Sequence, residues 1–174
     1  MTKALADDVR EVLGKIAVKP TEGPTPLILY HDHCADGFCA AWVAHQFFGQ
    51  WATYLPVSYG HQPPFEQINS RDVYILDFSY KRSVMEDIFL HANTLVVLDH
   101  HEAACKELAL PFELYEGKNT NITDAPNASY IFNTGKSGAR LTWEFFFPKK
   151  KAPWLVDYTE DRDLWRWALK DSKA

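Results

Sequence analysis

The chain has 174 residues, of which 47% are hydrophobic and 14% aromatic, and its formal net charge is -5 at pH 7. This composition excludes a disordered chain and favours a domain large enough to bury its own core. The acidic balance argues against a protein that coats long nucleic acids, and no apolar run is long enough to span a bilayer. The N-terminus lacks a secretory signal and the three cysteines match no paired zinc spacing, so we expect a cytoplasmic protein with free thiols.

Hydrophobic periodicity predicts alternating helices and strands. Apolar residues at helical spacing predict an amphipathic N-terminal helix within 1–20, followed by a connector rich in proline and glycine. Short apolar runs predict strands at 27–30, 54–59, 72–78, 94–98 and, at an edge, 112–115. Further helices are predicted at 38–48, 79–92, 103–110, 137–147 and 155–167.

This alternation favours an α/β fold, in which a mostly parallel, twisted sheet of the Rossmann-like kind has helices on both faces. We expect a single domain over 1–174 with its α/β core at 26–168. In open sheets of this kind, ligands bind outside the carboxyl ends of the strands. The side chains at those ends are therefore the first candidates for a functional site.

Three predicted strands end in carboxylate or imidazole side chains: the segments are His31-Asp32-His33-Cys34-Ala35-Asp36-Gly37, Leu76-Asp77 and Asp99-His100-His101. A turn cap or a salt bridge is the alternative interpretation for each residue taken alone. Oxygen and imidazole ligands without paired thiolates suit Mn²⁺ or Mg²⁺ better than zinc. Two such ions about 3.5–4 Å apart on a shared carboxylate can activate a water and stabilise the leaving oxygen of a phosphoryl transfer.

The order of these segments resembles that of the DHH phosphoesterase superfamily, which includes single-strand exonucleases, nano-RNases, cyclic-dinucleotide phosphodiesterases and manganese pyrophosphatases. The three segments match its first three motifs, and Tyr158-Thr159-Glu160-Asp161-Arg162-Asp163 resembles the fourth. Ser137-Gly138-Ala139 resembles the start of the helix that precedes the fourth motif. The resemblance runs from about 27 to 167.

The resemblance implies a set of metal ligands: His31, Asp36, Asp77, His100 and Asp161. Asp77 would bridge two ions, His31 would bind the first, and the remaining three residues would bind the second. Asp163 competes with Asp161 for the fourth-motif position. The implied cofactor is a pair of Mn²⁺ ions, with Mg²⁺ or another divalent metal as an alternative.

The resemblance also implies catalytic and substrate-binding residues. His101 would face the scissile phosphate, where a donor can neutralise developing charge. Asp99 would orient its histidine neighbours, with a turn cap as the alternative, and the bridging Asp77 completes the catalytic set. Arg140 and Arg162 are candidates for binding the substrate phosphate, although either can be a surface charge. Arg140 follows a helix start, and helix starts attract anions.

The first motif departs from the family pattern at Cys34, where many members carry an aspartate. A thiolate is a soft ligand and a poor choice for Mn²⁺. Either His31 with Asp32 or His33 completes the first site, or that site binds weakly or prefers another metal. Alternatively, Cys34 is a small buried hydrophobe. The second, substrate-gripping domain usual in the family is absent from the sequence, so we expect a catalytic-domain fragment or a compact variant.

The predicted function is therefore hydrolysis of phosphodiester or phosphomonoester bonds in a short single-stranded oligonucleotide or small nucleotide, by a two-metal mechanism. A pyrophosphatase or polyphosphatase is the alternative within enzymes. The alternative that is not an enzyme is a metal- or nucleotide-binding module without turnover, or one subunit of a larger assembly. No membrane partner is expected, and a homo-oligomer stays open.

Overall fold

The computed structural model describes residues 23–108, 120–121 and 127–173. The predicted N-terminal helix within 1–20 and the predicted edge strand at 112–115 lie outside the described residues. The strands are β1 (Leu27–His31), β2 (Thr53–Val57), β3 (Asp72–Leu76), β4 (Thr94–Asp99), β5 (Thr120–Asn121) and β6 (Ala128–Phe132). The helices are α1 (Ala35–Phe48), α2 (Phe65–Ile68), α3 (Arg82–His91), α4 (Glu102–Leu108), α5 (Gly138–Phe146) and α6 (Trp154–Asp163), and a 3-10 turn spans Gly49–Trp51.

These strands form one sheet in the order β2-β1-β3-β4-β6-β5. The first five of that order are parallel, and β5 is antiparallel to β6. The α/β fold with a mostly parallel sheet is thus confirmed. The chain leaves β1 for β2 on one side and then returns past β1 to β3 on the other, which makes the carboxyl ends of β1 and β3 the topological switch point where ligands bind in such sheets.

Apolar side chains cover both faces of the sheet. On one face, Ile28, Tyr74 and Val96 pack against α1, α5 and α6. On the other face, Leu29 and Val97 belong to the cluster that includes residues of α2, α3 and α4. Alternate residues of each strand point to opposite faces, so strands buried on both sides read as continuous apolar runs. Helices on both faces are therefore confirmed, and each fully buried aliphatic side chain contributes about 1.5–3 kcal/mol.

Several element ends differ from the prediction. Strand β3 stops at Leu76, because Asp77 adopts a left-handed backbone with φ 56° that cannot continue a strand. Helix α6 stops at Asp163 rather than at 167, and Trp165 and Trp167 beyond it are also left-handed. Strand β6 was not predicted, since its sequence ASYIF mixes polar and apolar residues without a clear period.

Candidate metal centre

The adjacent carboxyl ends of β1, β3 and β4 bring the strand-end residues together. Two groups of side chains are each compact enough to hold a cation: His31, Asp77 and His101 form the first group, and Asp36, Asp77 and His100 form the second group. The ligand-type atoms within each group lie within 4.8 Å of one another. Asp77 belongs to both groups, which is the position that a bridging carboxylate requires.

Asp77 combines a buried carboxylate with a backbone conformation that is uncommon for a residue other than glycine. Its side chain is 1% exposed, and its backbone is left-handed. His100 Nε2 lies 3.1 Å from Oδ1 and His31 Nδ1 lies 3.5 Å from Oδ2. Neither oxygen, however, has a hydrogen-bond partner of acceptable geometry among the described residues. Buried carboxylates are normally satisfied, so these oxygens are positioned for a ligand that accepts their lone pairs.

Two glycines allow the surrounding backbone to approach this carboxylate. A Cβ on Gly138 would lie 2.5 Å from Asp77 Cβ and 2.7 Å from Asp77 Oδ1. A Cβ on Gly37 would lie 2.3 Å from the carbonyl oxygen of His31. Any larger residue at either position would displace a predicted metal ligand, which explains why glycine stands at both.

The charges in the cluster shift one another's pKa values. The Asp77 carboxylate and the nearby Cys34 raise the pKa of His31 to about 10. Burial by itself would lower the pKa of His100, but the Asp77 carboxylate has the larger effect and raises the pKa of that imidazole to about 9. Burial opposes ionisation of Asp77 as well, yet the two histidines hold its pKa below the usual range. Without a cation, protonated imidazoles therefore neutralise the central carboxylate.

Asp36 belongs to the second ligand group and also fixes the start of α5. It lies in the first turn of α1, and its carboxylate accepts hydrogen bonds from the backbone N–H groups of Gly138 (2.5 Å) and Ala139 (3.0 Å) at the start of α5. Burial and the neighbouring Asp77 raise its pKa well above the ordinary value. The start of α5 does attract an anion, as predicted, but that anion is the Asp36 carboxylate. These N–H groups are therefore not open to a substrate phosphate.

Asp99 orients the histidines that follow it. Its Oδ1 accepts hydrogen bonds from the backbone N–H of His100 (2.7 Å) and of His101 (3.1 Å), and Ser79 Oγ donates to Oδ2 (2.6 Å). His101 Nδ1 also lies 2.7 Å from Asp99 Oδ1. A carboxylate only accepts hydrogen bonds, so Nδ1 carries the proton and Nε2 is left free. Asp99 is fully buried and acts as a positioning residue.

The structure corrects the fourth-motif position. His100 Nε2 lies 3.5 Å from Asp163 Oδ2, so Asp163 faces the second group. Asp161 points elsewhere, because its carboxylate accepts hydrogen bonds from the backbone N–H groups of Ala168 (2.9 Å) and Leu169 (3.2 Å). Residues two apart on a helix do not share a face, so only one of the two aspartates can reach the cluster. The prediction of Asp161 as a ligand was wrong in this geometry.

Arg140 is paired with two carboxylates of the protein. Its guanidinium donates to Asp157 Oδ1 (2.5 Å) and Glu160 Oε2 (2.9 Å), and it joins α5 to α6. This geometry does not support its predicted role as a substrate-binding residue, since Nε and one terminal nitrogen of its guanidinium are already paired with carboxylates. Arg162 is exposed on α6, and within the described part of the chain its side chain has no hydrogen bond or ion pair, so its role stays a prediction.

The first group contains neither Asp32 nor His33, the two residues that the sequence offered beside His31. Asp32 accepts hydrogen bonds from the backbone N–H of His33 and from Ser58 Oγ, and the His33 side chain is 92% exposed. His101 takes the third place beside His31 and Asp77 instead. Sequence reasoning assigned His101 to the phosphate alone, because spacing does not reveal which strand-end ring turns toward β1. Cys34 lies at the start of α1 near His31, but belongs to neither group.

No protein-family model matches the chain. The chain is 32% identical over 159 aligned residues to uncharacterized protein R106 of Acanthamoeba polyphaga mimivirus. The alignment covers 82% of this chain and 34% of the viral protein, so the chain spans about a third of the length of this curated relative. None of the helices that the structure describes is both long and apolar enough to cross a membrane.

Proposed function

We propose that this protein is a metal-dependent phosphoesterase of the DHH type. It hydrolyses phosphodiester or phosphomonoester bonds in a short oligonucleotide or small nucleotide, with two divalent cations of which Mn²⁺ is the first candidate. One observation carries the proposal: the buried Asp77 is shared by two ligand groups, and among the described residues neither of its oxygens has a hydrogen-bond partner. A cytoplasmic location belongs to the same proposal, because all three cysteines are free thiols.

The donor atoms fit two cations of this kind. The second group offers two carboxylates and one imidazole, with the Asp163 carboxylate beside it, and this oxygen-rich set suits Mn²⁺ or Mg²⁺. The first group offers two imidazoles and one carboxylate, a set that also accepts Fe²⁺ or Zn²⁺. When bound, such a pair supplies Lewis acidity to a phosphoryl oxygen and acidifies a coordinated water.

The chain's own residues would position the substrate and move protons. Asp77 would hold the two cations at a fixed separation, because its backbone is constrained and its side chain is buried. Asp99 holds Nδ1 of His101, so Nε2 of that partly exposed ring is the nitrogen available to a cation in the first group or to a phosphate oxygen. These two roles exclude each other: a protonated Nε2 that does not bind the cation would donate to a phosphate oxygen or to the leaving oxygen.

The test is an Asp77→Asn variant assayed on bis(4-nitrophenyl) phosphate, the dinucleotide pApA and pyrophosphate, each with Mn²⁺, Mg²⁺ or Zn²⁺. Asparagine tolerates a left-handed backbone and preserves the shape of the side chain, so folding is kept while the bridging charge is lost. We expect the wild-type chain to hydrolyse at least one ester and the variant to fall below detection. The matched control is Asp87→Asn, at an exposed position on α3.

Circular dichroism of both variants shows whether they fold. A folded Asp77→Asn variant with the wild-type rate would exclude the bridging role. A wild-type chain that cleaves pyrophosphate but no ester would favour the pyrophosphatase alternative. Tight nucleotide binding without turnover in any metal would favour a binding module.

A further inference from the structure

A cavity of about 480 Å³ opens beside the first ligand group. We call it the aromatic pocket, and its walls include Tyr59, Pro63, Phe78, Tyr80, Val84 and Ala104. These residues come from the segment after β2, the segment after β3, and the helices α3 and α4. Its volume falls within the range of about 300–1,000 Å³ that small-molecule sites occupy.

The aromatic pocket and the first ligand group share residues. His101 belongs to the group and also lines the pocket. The ring of His31 lies 5.2 Å from that of Tyr59 and 5.7 Å from that of Phe78, measured between centroids. A molecule in the pocket would therefore touch His101, and a phosphate on that molecule could reach the cluster without a long connection.

The pocket walls suit a flat ring with polar edges. Tyr59 packs against Phe78 with centroids 4.6 Å apart, and 56% of Tyr59 stays exposed, so its ring has surface left for stacking. Gln62, Lys81 and Glu107 add hydrogen-bonding groups to a lining that is otherwise mainly apolar and aromatic. Tyr80 is 8% exposed, and its hydroxyl has no hydrogen-bond partner among the described residues.

We propose that the aromatic pocket binds the nucleobase of a substrate nucleotide whose phosphate lies at His101. The proposal rests on the proposed function and deepens it, because it makes a nucleoside phosphate, rather than an inorganic phosphate, the substrate class. Stacking on Tyr59 supplies affinity for any base, since every base has a π-face. Inorganic pyrophosphate has no group to fill an apolar cavity, so the pocket would give it no added affinity.

Two variants test the pocket from different sides. Tyr59→Ala removes the stacking ring at an exposed position, and Val84→Trp fills the cavity from α3. The matched control is Leu90→Trp, which adds the same side chain at a position on α3 that is 76% exposed. Circular dichroism checks the fold of each variant.

The measurement is calorimetric binding of adenosine 5′-monophosphate, uridine 5′-monophosphate, inorganic phosphate and Mn²⁺ to each variant. Base stacking is worth about 1–3 kcal/mol, so both pocket variants should weaken nucleotide binding roughly 5- to 150-fold. Affinity for Mn²⁺ and for inorganic phosphate should not change, and Leu90→Trp should resemble wild type in all four titrations.

The outcomes separate this proposal from the proposed function. Unchanged nucleotide affinity in a folded Tyr59→Ala variant, or no nucleotide binding by the wild-type chain, would overturn the pocket whether or not esters are hydrolysed. Weakened nucleotide binding in both variants, in a chain that hydrolyses no ester, would support the pocket and count against the enzyme.

Discussion

At the scale of single residues, Asp77 concentrates features that folding alone does not require. A non-glycine residue in the left-handed region carries a cost of roughly 1–3 kcal/mol, and so does a buried carboxylate that, like Asp77 among the described residues, has no hydrogen-bond partner. The protonated states of His31 and His100 offset part of the charge, as their raised pKa values of about 10 and about 9 show. A bound cation would remove the remaining cost, so the strain is best explained as preparation for a ligand.

The two aspartates of α6 provide a test at the same scale. Asp163→Asn should weaken Mn²⁺ binding at least about tenfold, because a carboxylate beside His100 is lost where it can reach a second cation. Asp161→Asn should keep Mn²⁺ affinity but lower the free energy of unfolding, because it weakens the hydrogen bonds from Ala168 and Leu169. Calorimetric titration and urea denaturation of both variants measure the two effects, and the reverse pattern would restore Asp161 as the ligand.

At the scale of elements, the site depends on how α5 and α6 are fixed to the sheet. Asp36, at the start of α1, binds the first N–H groups of α5, and Gly138 lets that helix approach Asp77 closely. Arg140 then joins α5 to α6 through Asp157 and Glu160. These contacts connect the helix that carries Asp163 to the strands that carry the other ligands.

Arg140→Met should therefore reduce stability without impairing substrate binding. Glu160, whose side chain is 10% exposed, would keep Arg166 at 3.5 Å as its one cationic partner among the residues that the structure describes. Because both arginines are partly exposed to solvent, we expect a loss of about 1–2 kcal/mol rather than the larger penalty of a fully buried pair. Urea denaturation measures this loss, and KM for a cleaved ester should stay within about twofold of wild type. A KM increase of tenfold or more at unchanged stability would return Arg140 to the substrate site.

At the scale of the whole molecule, the cluster couples metal binding to folding. Its ligands come from β1, α1, the segments that directly follow β3 and β4, and α6, so a cation there would connect elements far apart in the chain. A ligand that binds only the folded state stabilises it by about 2.7 kcal/mol at 100 times its Kd. For a chain of this size, that corresponds to a rise in Tm of roughly 5–11 °C.

Thermal unfolding with and without Mn²⁺ measures this coupling. The rise in Tm should disappear when EDTA is added and should be absent in Asp77→Asn, while Asp87→Asn should show it in full. An unchanged Tm across millimolar Mn²⁺, Mg²⁺ and Zn²⁺ would mean that the cluster does not hold a cation.

Local patterns in the sequence determined the fold class and the candidate strand ends. Buried parallel strands read as short apolar runs, and chemistry collects where those runs stop, so His31, Asp77 and the Asp99-His100-His101 segment could be predicted from one chain. The same reasoning missed β6, whose mixed residues have no clear period, and it extended α6 beyond Asp163.

Only the tertiary structure decided where the side chains point. Whether Asp161 or Asp163 faces the cluster depends on how α6 packs, and whether Arg140 meets a substrate or an acidic pair depends on which helix lies beside α5. His101 beside His31, and the aromatic pocket behind both, arise from neighbouring strand ends that are distant in sequence. Short-range patterns specify the type of an element, whereas the direction of a side chain at its end depends on its three-dimensional neighbours.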